Sequence, residues 1–97
     1  MAQTPEGKVK KQLKQQLDEL GVYHFSPFQA GMGRAGIPDI IACCNGRFIA
    51  FECKAGNNKP TALQEKEMTA IRKARGMAYV INEANLADIK ELLQWMM

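Results

Sequence analysis

Hydrophobic positions along the chain change their period several times, and each change marks an element. Val9, Leu13, Leu17 and Leu20 recur at helical spacing in an otherwise polar stretch, which predicts an amphipathic helix. Thr4 ahead of them is an N-cap residue, Pro5 suits the first helical position, and Gly21 suits the stop. Gly7 is the poor helix former in this stretch, worth about 1 kcal/mol against alanine in a helix interior and less in a first turn. Val22-Tyr23-His24-Phe25 reads as a short strand. From Ser26 to Gly36 the pattern lapses into a loop with Pro27, Gly31, Gly33 and Gly36, the apolar Phe28 and Met32, and one cation, Arg34. Loops of this kind often carry function.

Two apolar runs then flank Asn45-Gly46. That dipeptide is the strongest short-range hairpin signal, because a type I′ turn needs φ > 0 at both central residues. The hairpin spans about Ile37 to Lys54 and is apolar on both faces. Ile41, Cys43, Phe48 and Ala50 fall on one side, and Ile40, Ala42, Ile49 and Phe51 on the other. A strand buried on both sides implies layers packed above and below it. A polar turn from Ala55 to Pro60 leads to Thr61 and Gln64, which are spaced as a capping box. The helix that follows carries Leu63, Glu67, Ala70, Ile71 and Ala74 on one stripe, with Gly76 as its stop. Met77 to Ile81 is another apolar strand. Asn85 is placed to cap a last helix whose apolar face is Leu86, Ile89, Leu92, Leu93 and Met96, with Trp95 and Met97 beside it. The predicted order is α-β-β-β-α-β-α, with no internal repeat and no linker.

Composition narrows the picture. A chain of 97 residues suits one domain, 1–97, with a modest core. The hydrophobic share of 46% and the charged share of 24% are ordinary for a globular protein. The net charge of +3 permits nucleic-acid binding without arguing strongly for it. Cys43, Cys44 and Cys53 have no second Cys/His pair at zinc spacing, and all three are expected in buried strands as small hydrophobes. The N-terminus is polar and lysine-rich, and no apolar run approaches a membrane span. An intracellular, cytoplasmic protein with no membrane contact is expected.

The candidate chemistry lies where charge breaks the hairpin. Glu52 and Lys54 interrupt an apolar strand, and Gly36-Ile37-Pro38-Asp39 precedes its partner. If the Asn45-Gly46 turn is tight, Cys44 pairs with Arg47 and Asp39 falls opposite Glu52. Lys54, two residues on, points to the same face. Like charges directly opposed are destabilising. At about 4 Å and an effective dielectric near 20 the repulsion is roughly 4 kcal/mol. A hard divalent cation removes that conflict, because it takes carboxylate and phosphate oxygens together. A lysine beside such a site can hold water or neutralise charge at phosphorus. The constellation points to metal-dependent attack on a phosphodiester.

These residues carry a family resemblance. Pro38-Asp39, then Glu52-Cys53-Lys54, then Gln64 on the next helix resemble the motifs of the PD-(D/E)XK nucleases, and Gly36-Ile37-Pro38-Asp39 is similar to the form found in the VRR-NUC family. The resemblance covers nearly the whole chain. It implies a restriction-endonuclease-like α/β core, with a central mixed sheet flanked by helices. It implies Mg²⁺ or Mn²⁺ held by Asp39, Glu52 and the backbone carbonyl of Cys53, with Glu6 as a second or water-mediated contact. Lys54 would orient the attacking water or stabilise the transition state, and Gln64 would support the site. Arg34, Lys8 and Lys11 would meet substrate phosphates. Stand-alone members of this family imply cleavage of four-way (Holliday) junction DNA by a homodimer. Nucleases acting on flap, nicked or linear DNA, and a non-catalytic DNA-binding module of the same fold, remain the alternatives.

Bland roles compete at several positions. Glu6 also suits a helix N-terminus by charge alone, and Gln64 suits its capping box. The lysines Lys8, Lys10, Lys11 and Lys14 suit a solvated helix face. His24, the only histidine, suits a structural hydrogen bond better than a catalytic base.

Overall fold

The structure, a computed structural model, describes residues 3–28 and 34–97. Gly31, Met32 and Gly33 of the predicted loop lie outside the described residues. The elements are α1 (Pro5–Glu19), β1 (Tyr23–Phe25), β2 (Ile40–Cys44), β3 (Arg47–Cys53), α2 (Ala62–Lys73), β4 (Met77–Ile81) and α3 (Ile89–Met96), the last entered through a 3₁₀ turn at Leu86–Asp88. This is the predicted order.

Local chemistry accounts for most of the boundaries. The Thr4 hydroxyl accepts from the Gly7 N–H at 2.9 Å, with Pro5 opening α1. Asn45 and Gly46 have φ of 51° and 79°, as a type I′ turn requires. The tight turn sets the expected register: Cys44 pairs with Arg47, Ala42 with Ile49 and Ile40 with Phe51. The four strands lie in the order β1-β2-β3-β4, with β4 parallel to β3 and the other pairs antiparallel. The sheet is therefore mixed.

Helices cover the two faces unequally. On one face, α1 and α3 bury Val9, Leu13, Leu17, Ile89, Leu93 and Met96 against Ile40, Ala42, Ile49, Phe51, Cys53 and Ile81. Each large side chain so buried contributes about 1.5–3 kcal/mol. On the other face α2 lies over β3 and β4 and forms a smaller cluster of Ala50, Met68 and Ala78, flanked by Ile41, Ile71 and Val80. Among the described residues no helix is long and apolar enough to cross a membrane.

Four local expectations need correction. The α2 stripe is rotated: Met68 is buried and Gln64 and Ile71 half-buried, whereas Leu63 is 53% exposed and Ala70 and Ala74 are exposed. Burying one methionine gains more than burying two alanines, and the rotation also lets Gln64 reach Glu52. The residue in the left-handed conformation after α2 is Arg75 (φ 73°), not Gly76. Glycine is needed at 76 for space, since a Cβ there would lie 2.8 Å from Ile71 Cγ2 and 3.1 Å from Phe48 Cδ1. Asn85 makes no capping bond. Its amide accepts from Asn82 N and donates to the Val80 carbonyl, each at 2.8 Å, which fastens the turn after β4. Finally, Cys43 is exposed while Cys44 and Cys53 are buried, because α2 does not extend over β2 at that point.

Candidate active site

The hairpin delivers its charged residues to the end of the sheet away from the Asn45-Gly46 turn. Asp39 immediately precedes β2, Glu52 is near the end of β3, and Lys54 follows it. Strand alternation turns Asp39 and Glu52 toward the α2 face, while Lys54, past the end of β3, reaches Glu6 on α1 as well as Glu52. The ladder ends at Ile40–Phe51. Beyond it the Asp39 carboxylate, rather than a backbone carbonyl, accepts the Cys53 N–H, through Oδ2 at 2.8 Å. The Asp39 charge also bears on the neighbouring Glu52 carboxyl.

Glu52 is the buried charged residue among those described, only 2% exposed. Its Oε1 accepts from Gln64 Nε2 at 3.0 Å. Gln64 Oε1 meanwhile accepts the Thr61 N–H at 2.8 Å, so one amide side chain both closes the capping box and holds the site. The Lys54 ammonium stands 3.9 Å from Glu52 Oε1 and 3.9 Å from Glu6 Oε1, with its side chain 11% exposed. Glu6 thus meets the site through Lys54. Burial, followed by the charge of the adjacent Asp39, raises the Glu52 pKa to about 8; Lys54 draws it down and Glu6 adds to the rise. Its second oxygen, Oε2, is buried with no hydrogen-bond partner. An unmade buried bond costs roughly 1–3 kcal/mol, and more for a charged group.

The donor set suits a hard divalent cation. Two adjacent carboxylates offer oxygen only, and one of their oxygens is both buried and unsatisfied. The Cys53 thiol is no competitor: it packs in the core, and burial, with Asp39 and Glu52 nearby, pushes its pKa up to about 12. Among the described residues no group of three or more His, Cys, Asp or Glu side chains gathers to hold a metal. A cation here would draw on two carboxylates, backbone oxygen, water and substrate, a pattern that Mg²⁺ tolerates.

Gly36 locks the two halves of the site together. Its φ is +83°, and a Cβ on it would fall 2.5 Å from the Leu63 carbonyl oxygen and 2.9 Å from Gln64 N. The loop leading to Asp39 therefore presses directly on the first turn of α2, which carries Gln64. No side chain fits between them.

The remaining predicted residues are placed differently. Arg34 is exposed and its Nε donates to Glu67 Oε1 on α2 at 3.0 Å. Lys8 and Lys11 are exposed on α1. Lys10, which sequence reasoning left among the solvated lysines, is half-buried, and its charge acts on Cys53. Its spacing of four from Glu6 was the available signal, since such residues share a helix face. His24 Nε2 lies 2.6 Å from Asp18 Oδ1. Strand pairing with Ala42 puts His24 on the α1 side of the sheet, opposite the carboxylates.

Comparison with known proteins points to nucleases. Residues 6–90 match the model of the family described as archaeal Holliday junction resolvase (Hjc). The chain is 33% identical over 88 residues to "Putative nuclease p44" of Acyrthosiphon pisum secondary endosymbiont phage 1, covering 87% of this chain and 89% of that protein. A solved structure described as a VRR_NUC domain superposes with a TM-score of 0.74 at 26% identity, covering 92% of this chain and 97% of that one. A restriction-endonuclease-like sheet, a Pro-Asp and Glu-x-Lys hairpin and these likenesses converge: the chain belongs to the Hjc family, shares the VRR-NUC fold of the PD-(D/E)XK nucleases, and is an endonuclease.

Proposed function

We propose that the protein is a Mg²⁺- or Mn²⁺-dependent enzyme that hydrolyses phosphodiester bonds in four-way DNA junctions, acting as a homodimer. The observation that carries the chemistry is the buried, unpartnered Oε2 of Glu52 beside Asp39, with Lys54 alongside. Asp39, Glu52 and the Cys53 carbonyl would hold the cation. When bound, it supplies Lewis-acid polarisation of the phosphate and lowers the pKa of water.

The chain's own residues do the rest. The Lys54 ammonium orients the attacking water and offsets negative charge growing at phosphorus. Glu6 holds Lys54 from the α1 side. Gln64 fixes the Glu52 carboxylate in one rotamer, and Gly36 fixes the approach of Asp39 to Gln64. Arg34, Lys8 and Lys11 meet substrate phosphates at longer range, Arg34 after leaving Glu67. The likeness to the archaeal Holliday junction resolvase family supports the junction as substrate. A two-fold dimer offers two identical sites, which suits a four-armed substrate.

The test is cleavage of matched four-way junction, flap and linear duplex DNAs with Mg²⁺, with Mn²⁺ and with chelator, alongside Lys54→Ala. Symmetric, metal-dependent cuts in the junction that vanish in the variant are expected. Equal cutting of flap or linear DNA would refute junction selectivity, and no cutting by folded protein would refute the enzymatic proposal.

A further inference from the structure

One cation close to the carboxylates has no part in the chemistry described so far. Lys10 lies on α1 one turn beyond Glu6, on the same helix face. A helical side chain leans toward the N-terminal end of its helix and covers the turn before its own Cα. The Lys10 stem therefore runs back toward Glu6, whose carboxylate stands 3.9 Å from the Lys54 ammonium. Burial and charge agree with that direction. Lys10 is half-buried beside the core residues Val9 and Leu13, whereas Lys8 and Lys11 are exposed. Its charge is felt at Cys53, the last residue of β3, together with the charges of Asp39, Glu52 and Glu6.

A half-buried lysine ordinarily lays its stem on apolar surface and sends its ammonium to water or to an acid. Among the described residues the Lys10 ammonium is within ion-pair distance of no carboxylate. Lys54 has the contacts to Glu6 and Glu52, and the other pairs are His24–Asp18, Arg34–Glu67 and Lys90–Glu19. Lys10 is thus a cation partly withdrawn from solvent, aimed at the site and without an anion of its own.

We propose that Lys10 binds substrate, its ammonium donating to a non-bridging oxygen of the phosphodiester that reaches the Asp39–Glu52 site. The inference rests on the nuclease reading and adds the residue that makes its site attractive to a polyanion. Asp39, Glu52 and Glu6 are three negative charges when ionised, and Lys54 with a bound divalent cation makes three positive. A site so balanced has no net pull on a phosphodiester. Lys10 supplies the one positive charge in excess, which matches the single charge of one phosphodiester. Lys8 and Lys11 stand in solvent, where salt screens them over about 8–10 Å, and Arg34 must first leave Glu67. Lys10, beside the core, acts through a medium of lower dielectric.

The experiment is binding of a fluorescent four-way junction to the full chain in Ca²⁺, read by anisotropy from about 50 to about 200 mM salt, beside steady-state cleavage in Mg²⁺ and thermal melting. The variants are Lys10→Gln, Lys10→Arg and Lys73→Gln, the last removing an equal charge from the exposed final turn of α2. Lys10→Gln should bind about 10-fold more weakly, the scale of one hydrogen bond to a charged group. Its plot of log affinity against log salt should be shallower by about 0.9, one phosphate contact. KM should rise with the dissociation constant while kcat falls less, and melting should stay unchanged. Lys10→Arg should restore most of the binding, and Lys73→Gln should match wild type within about twofold in affinity, with the same salt slope. Wild-type affinity and salt slope in Lys10→Gln, an equal loss in Lys73→Gln, or a lowered melting temperature in Lys10→Gln would overturn the assignment. Loss of kcat alone would also overturn it, since Lys10 would then only steady Glu6. Intact binding by Lys10→Gln in a protein that cuts junctions refutes only the role of Lys10. Weakened binding by Lys10→Gln in a protein that cuts no DNA refutes only the nuclease function.

Discussion

Without a bound cation, stability should fall as pH rises through the neutral range, and Glu52 should be the cause. The folded protein raises the Glu52 pKa from 4.5 to about 8, chiefly by burial and then by Asp39. Between those values the folded chain holds a proton that the unfolded chain has released. Stability changes with pH as the protons bound unfolded minus those bound folded, so the slope is negative in this window. Each pH unit within it removes at most about 1.4 kcal/mol. The whole window is worth no more than about 5 kcal/mol, a large share of the roughly 5–15 kcal/mol that holds a domain together. The assay is urea unfolding in chelator at a series of pH values from about 4.5 to about 8. Glu52→Gln, which retains an acceptor for Gln64 and offers Asp39 a donor, should flatten the slope and be more stable than wild type at the alkaline end. Adding Mg²⁺ or Mn²⁺ at that end should restore wild-type stability by about 2.7 kcal/mol at a hundredfold excess over Kd, and should not help Glu52→Gln comparably. A flat profile for wild type in chelator, or an equal slope in the variant, would refute the account of a carboxyl waiting for a cation.

Other substitutions probe the neighbouring contacts. Lys54→Ala should lower junction cleavage by about 10²–10³, the effect of losing one transition-state donor, with binding measured by gel shift nearly unchanged. Gly36→Ala should destabilise by roughly 2–4 kcal/mol, because it combines a left-handed backbone with a Cβ driven into the Leu63 carbonyl; denaturant melts would show it, with a parallel loss of kcat. Met68→Ala should cost about 2–5 kcal/mol as a cavity in the thin α2 layer. Leu63→Ala should change the melting of the monomer by less than about 0.5 kcal/mol, as expected for an exposed side chain; similar losses for the two would mean α2 faces the sheet by its other stripe.

Much of the architecture was legible before any coordinates, and for identifiable reasons. Asn45-Gly46 can form only one kind of tight turn readily, so the register of β2 on β3, and with it the approach of Asp39 to Glu52, followed from two residues. The capping box at Thr61 and Gln64 is likewise local, and it formed. Periodicity was less reliable on α2. Its two possible apolar stripes overlap, and a count of apolar residues favours Leu63, Ala70 and Ala74 over the single Met68. The burial of Cys43 was misjudged for a related reason: an apolar strand does not reveal whether a helix long enough to cover it will lie there.

Local sequence, then, was enough for the elements, the hairpin register and the clustering of carboxylates with a lysine, because backbone sterics and a side-chain alternation of two act over a few residues. The tertiary structure alone decided what each side chain meets across long separations. It placed Gln64 on Glu52, Glu6 on Lys54, Arg34 on Glu67, and His24 on the far side of the sheet. It also left one carboxylate oxygen buried without a partner and half a sheet face without a cover. Those outcomes depend on how whole layers share a limited apolar surface, a competition that no short stretch of chain records.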